Sequence, residues 1–189
     1  MSDDKNYLRK KFISLRKKKY SKVGKFNFNL IFKLIDKNFF NKKIIIAGYY
    51  PTNYEVNILS FIKKAHKRKF KIALPVIKPL GKMSFKTWAF KDPLYVSEFG
   101  TLEPLKTNKE VIPDLVIVPL VAFDNNLNRI GYGRGYYDRI LKKIRKKNKK
   151  SIFLGAAYSF QKSKSIAVKK HDFKLNCIFT ELGIINSRK

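Results

Sequence analysis

The chain has 189 residues, with 43 basic and 13 acidic side chains and a formal net charge of +30. Apolar residues make up 44% of it, which is ordinary for a globular protein and argues against disorder. The length suits one domain with a substantial core, and the single cysteine, Cys177, excludes an internal disulfide and a CxxC metal knuckle.

Two helices are predicted before any strand. Apolar residues recur at helical spacing from a cap at Asp3 or Asp4 to about Tyr20. A second apolar stripe predicts a helix over residues 27–38. The period then changes, because "KIIIAGYY" (Lys43–Tyr50) is a compact β-branched run that predicts a buried strand.

Strands and helices alternate along the rest of the chain. "EVNILSFIKKAHKR" (Glu55–Arg68) and "YYDRILKKIRKK" (Tyr136–Lys147) have helical spacing. The predicted extended segments are Lys71–Ile77, Met83–Phe90, Asp114–Leu120, Ser151–Tyr158 and Cys177–Ile185. Because the strands are apolar throughout, we expect an α/β fold with a mainly parallel sheet covered on both faces, and no linker divides residues 1–189 into two domains.

The most informative stretch is "RIGYGRGYYDR" (Arg129–Arg139), which lies between a buried strand and a helix. Ligands of open parallel sheets bind beyond the carboxyl ends of the strands. Gly131, Gly133 and Gly135 lack Cβ, so the main chain can approach a phosphate closely. The following helix offers unpaired N–H donors, and Arg134 adds a cation. This combination favours a phosphate site, although the G-x-G-x-G spacing fits neither a dinucleotide fingerprint nor a Walker loop, and a plain mobile turn is the alternative.

Two aspartates are candidate metal ligands. Asp138 lies in the first turn of the helix that follows the glycines, where an acid also stabilises the helix dipole. In a nucleotide site it would hold Mg²⁺ through oxygen coordination, and Asp172, shortly before the last strand, offers a second carboxylate.

The charge of +30 leaves three interpretations open. It suits nucleic-acid phosphates, an enzyme for polyanionic small molecules, or compositional bias, since lysine, isoleucine, asparagine and phenylalanine are all abundant. The sequence contains no RNP-like motif, zinc spacing or recognition helix, which disfavours a basic nucleic-acid-binding protein. The longest apolar run, Leu115–Phe123, is too short to span a bilayer, and no signal region begins the chain. We expect a cytoplasmic monomer with no specific nucleic-acid or membrane partner.

An ordered series of motifs resembles the 5-formyltetrahydrofolate cyclo-ligases, also called 5,10-methenyltetrahydrofolate synthetases. The series covers nearly the whole chain, and its most specific member is "PDLVIVPLVAFDNNLNRIGYGRGYYDR". The other members are "KNYLR", "YYPTNYEVNIL", "LPVI" with "MSFKTW", "FGTLEP", "GAAYSFQ" and "HDFKLNCIFTELG". The resemblance implies a three-layer α/β/α domain and an enzyme that uses ATP and Mg²⁺ to convert 5-formyltetrahydrofolate to 5,10-methenyltetrahydrofolate, with release of ADP and phosphate.

The resemblance also implies roles for particular residues. The implied ATP-binding residues are Lys5, Arg9, Arg129, Ile130, Gly131, Tyr132, Gly133, Arg134, Gly135, Tyr136 and Tyr137. The implied folate-binding residues are Tyr50, Glu55, Tyr132, Gly133, Arg134, Gly135 and Tyr136. Met83 and Trp88 are added as candidate apolar walls for the folate, with the core as their alternative location. Asp138 and Asp172 match the metal ligands, and Lys5 and Arg134 are the candidate catalytic cations.

These parts suggest a mechanism as a hypothesis. The formyl oxygen attacks the γ-phosphorus of ATP, N10 closes the ring on the activated carbon, and phosphate departs. Phosphoryl transfers of this kind depend mainly on positioning and charge neutralisation.

Overall fold

Apolar strands and amphipathic helices alternate in the computed structural model, which describes residues 5–98 and 100–186. The helices are α1 (Lys5–Lys19), α2 (Asn29–Asn38), α3 (Leu59–Lys67) and α4 (Tyr136–Lys147). The strands are β1 (Ile45–Ala47), β2 (Lys71–Lys78), β3 (Lys82–Thr87), β4 (Tyr95–Val96), β5 (Leu102–Glu103), β6 (Glu110–Val111), β7 (Leu115–Pro119), β8 (Ala122–Phe123), β9 (Arg129–Ile130), β10 (Ile152–Ala156), β11 (Cys177–Thr180) and β12 (Gly183–Asn186).

Eight of these strands form one twisted sheet in the order β12-β11-β10-β7-β1-β2-β3-β6. The five central strands, β11, β10, β7, β1 and β2, pair in parallel, whereas β12, β3 and β6 pair antiparallel at the two edges. The hairpins β4–β5 and β8–β9 lie outside the sheet. The expectation of a mainly parallel sheet is confirmed, with antiparallel additions at its edges.

Side chains of the central strands alternate between two faces, and each face is covered by helices. Ile46 and Leu115 pack in the same cluster as the buried stripes of α2 and α3. On the other face, Val116 packs in the cluster that contains Leu141 and Ile144 of α4. Burying an aliphatic side chain of this size contributes about 1.5–3 kcal/mol, so these stripes fix the helices on the sheet. The implied three-layer arrangement is confirmed.

Helix α1 packs differently, against the β8–β9 hairpin rather than against the sheet. Its residues Leu8 and Phe12 are buried beside Ala122 and Ile130. This contact holds α1 over the carboxyl end of β7. The capping residues predicted for this helix, Asp3 and Asp4, lie outside the described residues.

Several predicted boundaries differ from the structure by a few residues, for example Met83–Phe90 against β3 and Ser151–Tyr158 against β10, and three further differences have a clear local cause. The strand predicted over 43–50 is limited to β1, because the chain turns away after Gly48 and the Tyr49 hydroxyl donates to the Val56 carbonyl (2.8 Å). The helix predicted from residue 55 begins at Leu59, whose N–H is accepted by the Asn57 side chain (3.0 Å). The strand predicted over 177–185 is a hairpin, β11–β12, and Gly183 has a φ of +132° at its turn.

Candidate active site

A cavity of about 1040 Å³ opens at the carboxyl ends of β1, β2 and β7. The strand ends contribute Tyr49, Ile77 and Pro119 to its wall. Helix α1, the glycine-rich loop 131–135 and the segment 169–172 close the other sides. The cavity therefore lies where parallel α/β sheets bind ligands.

Nearly all of the predicted site residues border this cavity. They are Lys5, Arg9, Tyr50, Glu55, Met83, Arg129, Ile130, Gly131, Tyr132, Gly133, Arg134, Gly135, Tyr136, Tyr137, Asp138 and Asp172. The side chain of Ile130 also packs into the core under α1. Residues from five separate segments thus meet at one edge of the sheet.

Trp88 is the exception, because the structure does not bring it into this cavity. Its ring is 6% exposed and packs in the core cluster on the α2–α3 face, where its Nε1–H donates to the Asp92 carbonyl (3.0 Å). It borders a separate cavity of about 340 Å³, which shares Tyr50 and Leu102 with the larger one. An indole with its N–H already paired and its ring packed is satisfied as a core residue.

The glycine-rich loop is held in place by helix α1. The Arg9 Nε–H donates to the Gly131 carbonyl (2.7 Å), and a Cβ on Gly133 would lie 3.4 Å from the Arg9 guanidinium carbon. Gly133 and Gly135 have φ of +99° and +66°, which non-glycine residues adopt at a cost. Gly135 is also the N-cap of α4. Glycine is therefore favoured at both positions by the left-handed backbone of the turn, whereas a Cβ on Gly133 would be in ordinary contact with Arg9.

A second arginine fastens the far side of the loop. The Arg139 Nη2 donates to the Gly81 carbonyl (2.6 Å) and to the Arg134 carbonyl (3.1 Å). A Cβ on Gly135 would lie only 2.8 Å from Arg139 Nη1. The loop is therefore clamped between α1 on one side and the β2–β3 turn on the other.

The predicted phosphate-binding and metal-binding residues form two ion pairs. Lys5 pairs with Asp172, and Arg129 pairs with Asp138 at 2.7 Å. The Asp138 carboxylate also accepts the Phe173 N–H (3.1 Å), which joins the two aspartate segments. Burial acts to raise the pKa of Asp172, but the Lys169 N–H and Lys5 outweigh it and lower that pKa. Both cations and both carboxylates therefore meet at one end of the cavity.

The two aspartates fit a magnesium ion in donor type and number. Mg²⁺ in nucleotide sites is held by one or two carboxylates together with substrate phosphates and water. Asp138 and Asp172 supply two such carboxylates beside the glycine loop. Among residues 5–98 and 100–186, no group of three or more His, Cys, Asp or Glu side chains is arranged to hold a metal. The site therefore suits an ion that arrives with a phosphate ligand rather than an all-protein metal centre.

The opposite end of the cavity is organised around Glu55. Glu55 is 8% exposed, and its carboxylate accepts the Thr52 N–H (2.9 Å) and the Tyr132 hydroxyl (3.0 Å). Burial raises the pKa of Glu55 above its usual value, although its hydrogen bonds and Arg16 oppose that rise. Burial also raises the pKa of Tyr132 to about 12, so its hydroxyl is neutral and can donate at neutral pH.

Sequence reasoning missed Arg16 and left Glu103 and His171 without roles. Arg16 is 1% exposed and donates to Tyr132, so it lies directly behind the site. Its position was detectable in principle, because Lys5, Arg9 and Arg16 share one face of a helix at about 100° per residue. Glu103 borders the cavity, but its carboxylate accepts the Ile77 N–H (3.1 Å) and so supports β2. His171 borders the cavity next to Asp172.

The sheet, the clamped glycine-rich loop and the charged cavity define an α/β enzyme. The model of the 5-formyltetrahydrofolate cyclo-ligase family matches residues 1–181. The chain belongs to the 5-formyltetrahydrofolate cyclo-ligase family.

Similar proteins that carry the family's name support this assignment. The 5-formyltetrahydrofolate cyclo-ligase of Haemophilus influenzae is 32% identical over 136 residues, covering 69% of this chain and 72% of that protein. The enzyme of the same name from Escherichia coli K12 is 27% identical over 141 residues, or 71% of this chain and 76% of that protein. The alignments cover most of both proteins.

Solved structures agree with the fold. The NMR structure of 5,10-methenyltetrahydrofolate synthetase from Aquifex aeolicus superposes with a TM-score of 0.75 at 27% identity, covering 98% of this chain and 93% of that one. A 5,10-methenyltetrahydrofolate synthetase from Mycoplasma pneumoniae has a TM-score of 0.68 at 24% identity, covering 98% of this chain and 99% of that one. Within the described part of this chain, no helix is long and apolar enough to cross a bilayer.

Proposed function

We propose that this protein uses ATP to convert 5-formyltetrahydrofolate to 5,10-methenyltetrahydrofolate, with release of ADP and phosphate. The observation that supports this most directly is the single cavity that joins the glycine-rich loop and two aspartates at one end to the buried Glu55 at the other. The family to which the chain belongs supports the choice of substrates.

The triphosphate occupies the end of the cavity formed by α1 and the loop. Lys5 and Arg134 stabilise the transferring phosphoryl group, whose negative charge is spread over its equatorial oxygens. Arg9 holds the Gly131 carbonyl, which keeps the loop open for the phosphates to approach. Arg129 is buried and paired with Asp138, so its part is to set the charge and position of that carboxylate.

The folate occupies the other end, where Glu55 accepts hydrogen bonds from the N–H groups of the pterin. Tyr137 faces the same region, and its buried hydroxyl has no hydrogen-bond partner among the described residues. A buried hydroxyl without a partner costs about 1–3 kcal/mol. Because the hydroxyl oxygen has almost no exposed surface, a polar group of the folate would reach it only after the ring of Tyr137 moves on binding.

The reaction then needs few covalent contributions from the protein. The formyl oxygen attacks the γ-phosphorus as ADP leaves, which makes the formyl carbon electrophilic. N10 attacks that carbon, the carbon–oxygen bond breaks, and phosphate departs with the former formyl oxygen while N10 loses its proton. Holding the formyl oxygen in line with the γ-phosphorus supplies most of the catalysis in such a step.

Asp138 and Asp172 are the residues that would hold Mg²⁺, together with the phosphates of ATP. Bound there, the ion would neutralise charge on the triphosphate. Lys5, which pairs with Asp172, would exchange that carboxylate for a phosphate oxygen.

The test is to incubate the purified protein with 5-formyltetrahydrofolate, ATP and Mg²⁺ and to follow the methenyl chromophore in the near ultraviolet. ADP should form in equal amounts, and omission of ATP should abolish both signals. Glu55→Gln should raise the KM for the folate more than the KM for ATP, while Glu110→Gln, the same change on a carboxylate outside the cavity, should leave both unchanged. Absence of both the chromophore and ADP would refute the proposal.

A further inference from the structure

Arg16 is a buried cation directly behind the cavity. It is 1% exposed, and its Nη1 donates to the Leu120 carbonyl at the carboxyl end of β7 (3.2 Å). Its Nη2 donates to the Tyr132 hydroxyl, and its guanidinium carbon lies 5.6 Å from the centre of that ring. Its Nε–H has no hydrogen-bond partner among the described residues. Burying a charge in this way is costly unless a counter-charge lies nearby.

That counter-charge is Glu55, which Arg16 reaches through Tyr132. An arginine can only donate hydrogen bonds, so the Tyr132 oxygen must accept from it. The hydroxyl hydrogen is then free to point at the Glu55 Oε1, 3.0 Å away. A hydroxyl that accepts from a cation also donates more strongly, because successive hydrogen bonds polarise one another.

We propose that Arg16 is a positioning residue of the active site, which orients the Tyr132 hydroxyl and through it holds the Glu55 carboxylate ready for the folate. This rests on the function proposed above. Tyr132 belongs to the glycine-rich loop, so Arg16 also fastens that loop at a second point, about two turns of α1 beyond the bond from Arg9 to Gly131.

The surroundings of Glu55 make Arg16 its cationic partner. Among residues 5–98 and 100–186, the ionisable groups that face Glu55 are Arg16 from α1, Tyr49 after β1, Tyr132 in the loop, Tyr137 from α4 and Tyr158 after β10. Burial raises the pKa of each of these tyrosines, so they are neutral at physiological pH. Without Arg16, the pKa of Glu55 would therefore rise further, and the protonated oxygen could no longer accept a hydrogen bond from the pterin.

The experiment is a double-mutant cycle on the Kd for 5-formyltetrahydrofolate, using the wild type, Arg16→Met, Tyr132→Phe and the double variant. Hydrogen bonds to charged groups are worth enough that we expect each single variant to weaken folate binding about tenfold. Because Arg16 acts through Tyr132, the double variant should bind no more than about twofold more weakly than Tyr132→Phe alone. Arg16→Lys should recover part of the loss.

Two further readouts separate positioning from a purely structural role. The acid limb of the pH profile of folate binding should move to higher pH in Arg16→Met, whereas a structural defect would lower binding equally at every pH. Lys18→Met removes an exposed cation from the same helix and should leave the Kd unchanged. If Arg16→Met does not fold, Arg16→Lys takes its place in the cycle.

Additive effects of the two changes, or an unaltered Kd in Arg16→Met, would overturn the assignment of Arg16 while leaving the proposed function intact. A wild-type protein that neither binds nor converts 5-formyltetrahydrofolate would instead refute the proposed function, and the assignment of Arg16 would fall with it.

Discussion

Replacing Gly133 with alanine should damage the proposed ATP site while leaving the sheet unaffected. Gly133 has a φ of +99° and lies exposed at the tip of the glycine-rich loop. A side chain at a left-handed φ costs about 1–2 kcal/mol. The new Cβ would also stand 3.4 Å from the Arg9 guanidinium carbon, at the edge of normal contact.

This cost must be observed either in stability or in binding. If the loop keeps its conformation, the free energy of unfolding falls by about 1–2 kcal/mol. If the loop relaxes to a negative φ, the hydrogen bond from Arg9 to Gly131 is disturbed and ATP binding is weakened instead. Since about 1.4 kcal/mol corresponds to a factor of ten, the second case predicts a loss of roughly 5–30-fold in kcat/KM for ATP.

Gly24→Ala is the matched control, because a Cβ there meets no heavy atom within 4 Å and Gly24 has no positive φ. Both variants are compared by urea unfolding and by steady-state kinetics with ATP as the varied substrate. For Gly133→Ala, the loss in free energy of unfolding and the loss in kcat/KM expressed as a free energy should together be about 1–2 kcal/mol larger than for Gly24→Ala. Equal behaviour of the two variants in both measurements would refute the role assigned to the loop conformation.

Four other predictions test the charged groups and the core. Asp138→Asn should raise the Mg²⁺ concentration for half-maximal turnover about tenfold or more, measured by metal titration at saturating ATP. Burial raises the pKa of Glu55 from 4.5, so the folded protein binds a proton there more tightly than the unfolded chain does. The free energy of unfolding should therefore fall as the pH rises from 4.5 through the raised pKa, and Glu55→Gln should remove that decline in urea unfolding. Glu110, whose pKa is lowered chiefly by Lys78, has the opposite sign, and Glu110→Gln should instead remove a loss of stability below pH 4.5. In Gly155→Ala, a Cβ would meet Ile178, Leu120 and Leu175 carbons at 2.6–2.8 Å, and such overpacking should cost about 1–3 kcal/mol of stability with unchanged KM values.

The strands and helices of the sheet layers were predictable because their burial follows local periodicity. The start of α4 at Tyr136 agrees with the sequence prediction, since Gly135 and the change of period both mark it. Residues 48–58 were harder, because their course is fixed by non-local bonds from side chains to the backbone. Glu55 seemed an ordinary early-helix acid, yet it lies before α3 and closes a turn with Thr52.

The two ends of the site differ in how far the sequence could predict them. Glycines and aspartates around residue 135 predict a phosphate site because their chemistry is local and specific to residue type. The signal for Arg16 is weaker: its helical phase places it on the same face as Lys5 and Arg9, but this helix presents many cations and only tertiary packing decides which of them is buried. Trp88 is the opposite case, because the sequence suggested a site residue and the structure places it in the core. Its ring packs there and its N–H donates to a backbone carbonyl.

Helix α1 explains why the two ends of the cavity act as one site. Lys5 and Arg16 are separated by eleven residues, or about 16 Å along the helix axis, and Arg9 lies between them on the same face. Lys5 contacts the aspartate end, Arg9 contacts the glycine loop, and Arg16 contacts the tyrosine bonded to Glu55. Since Leu8 and Phe12 fix this helix on the β8–β9 hairpin, a rigid element sets the distance between the two ends proposed to bind the triphosphate and the folate. The proposed in-line transfer to the formyl oxygen would depend on that distance, so under this proposal the packing of α1 matters for catalysis as much as the charges it carries.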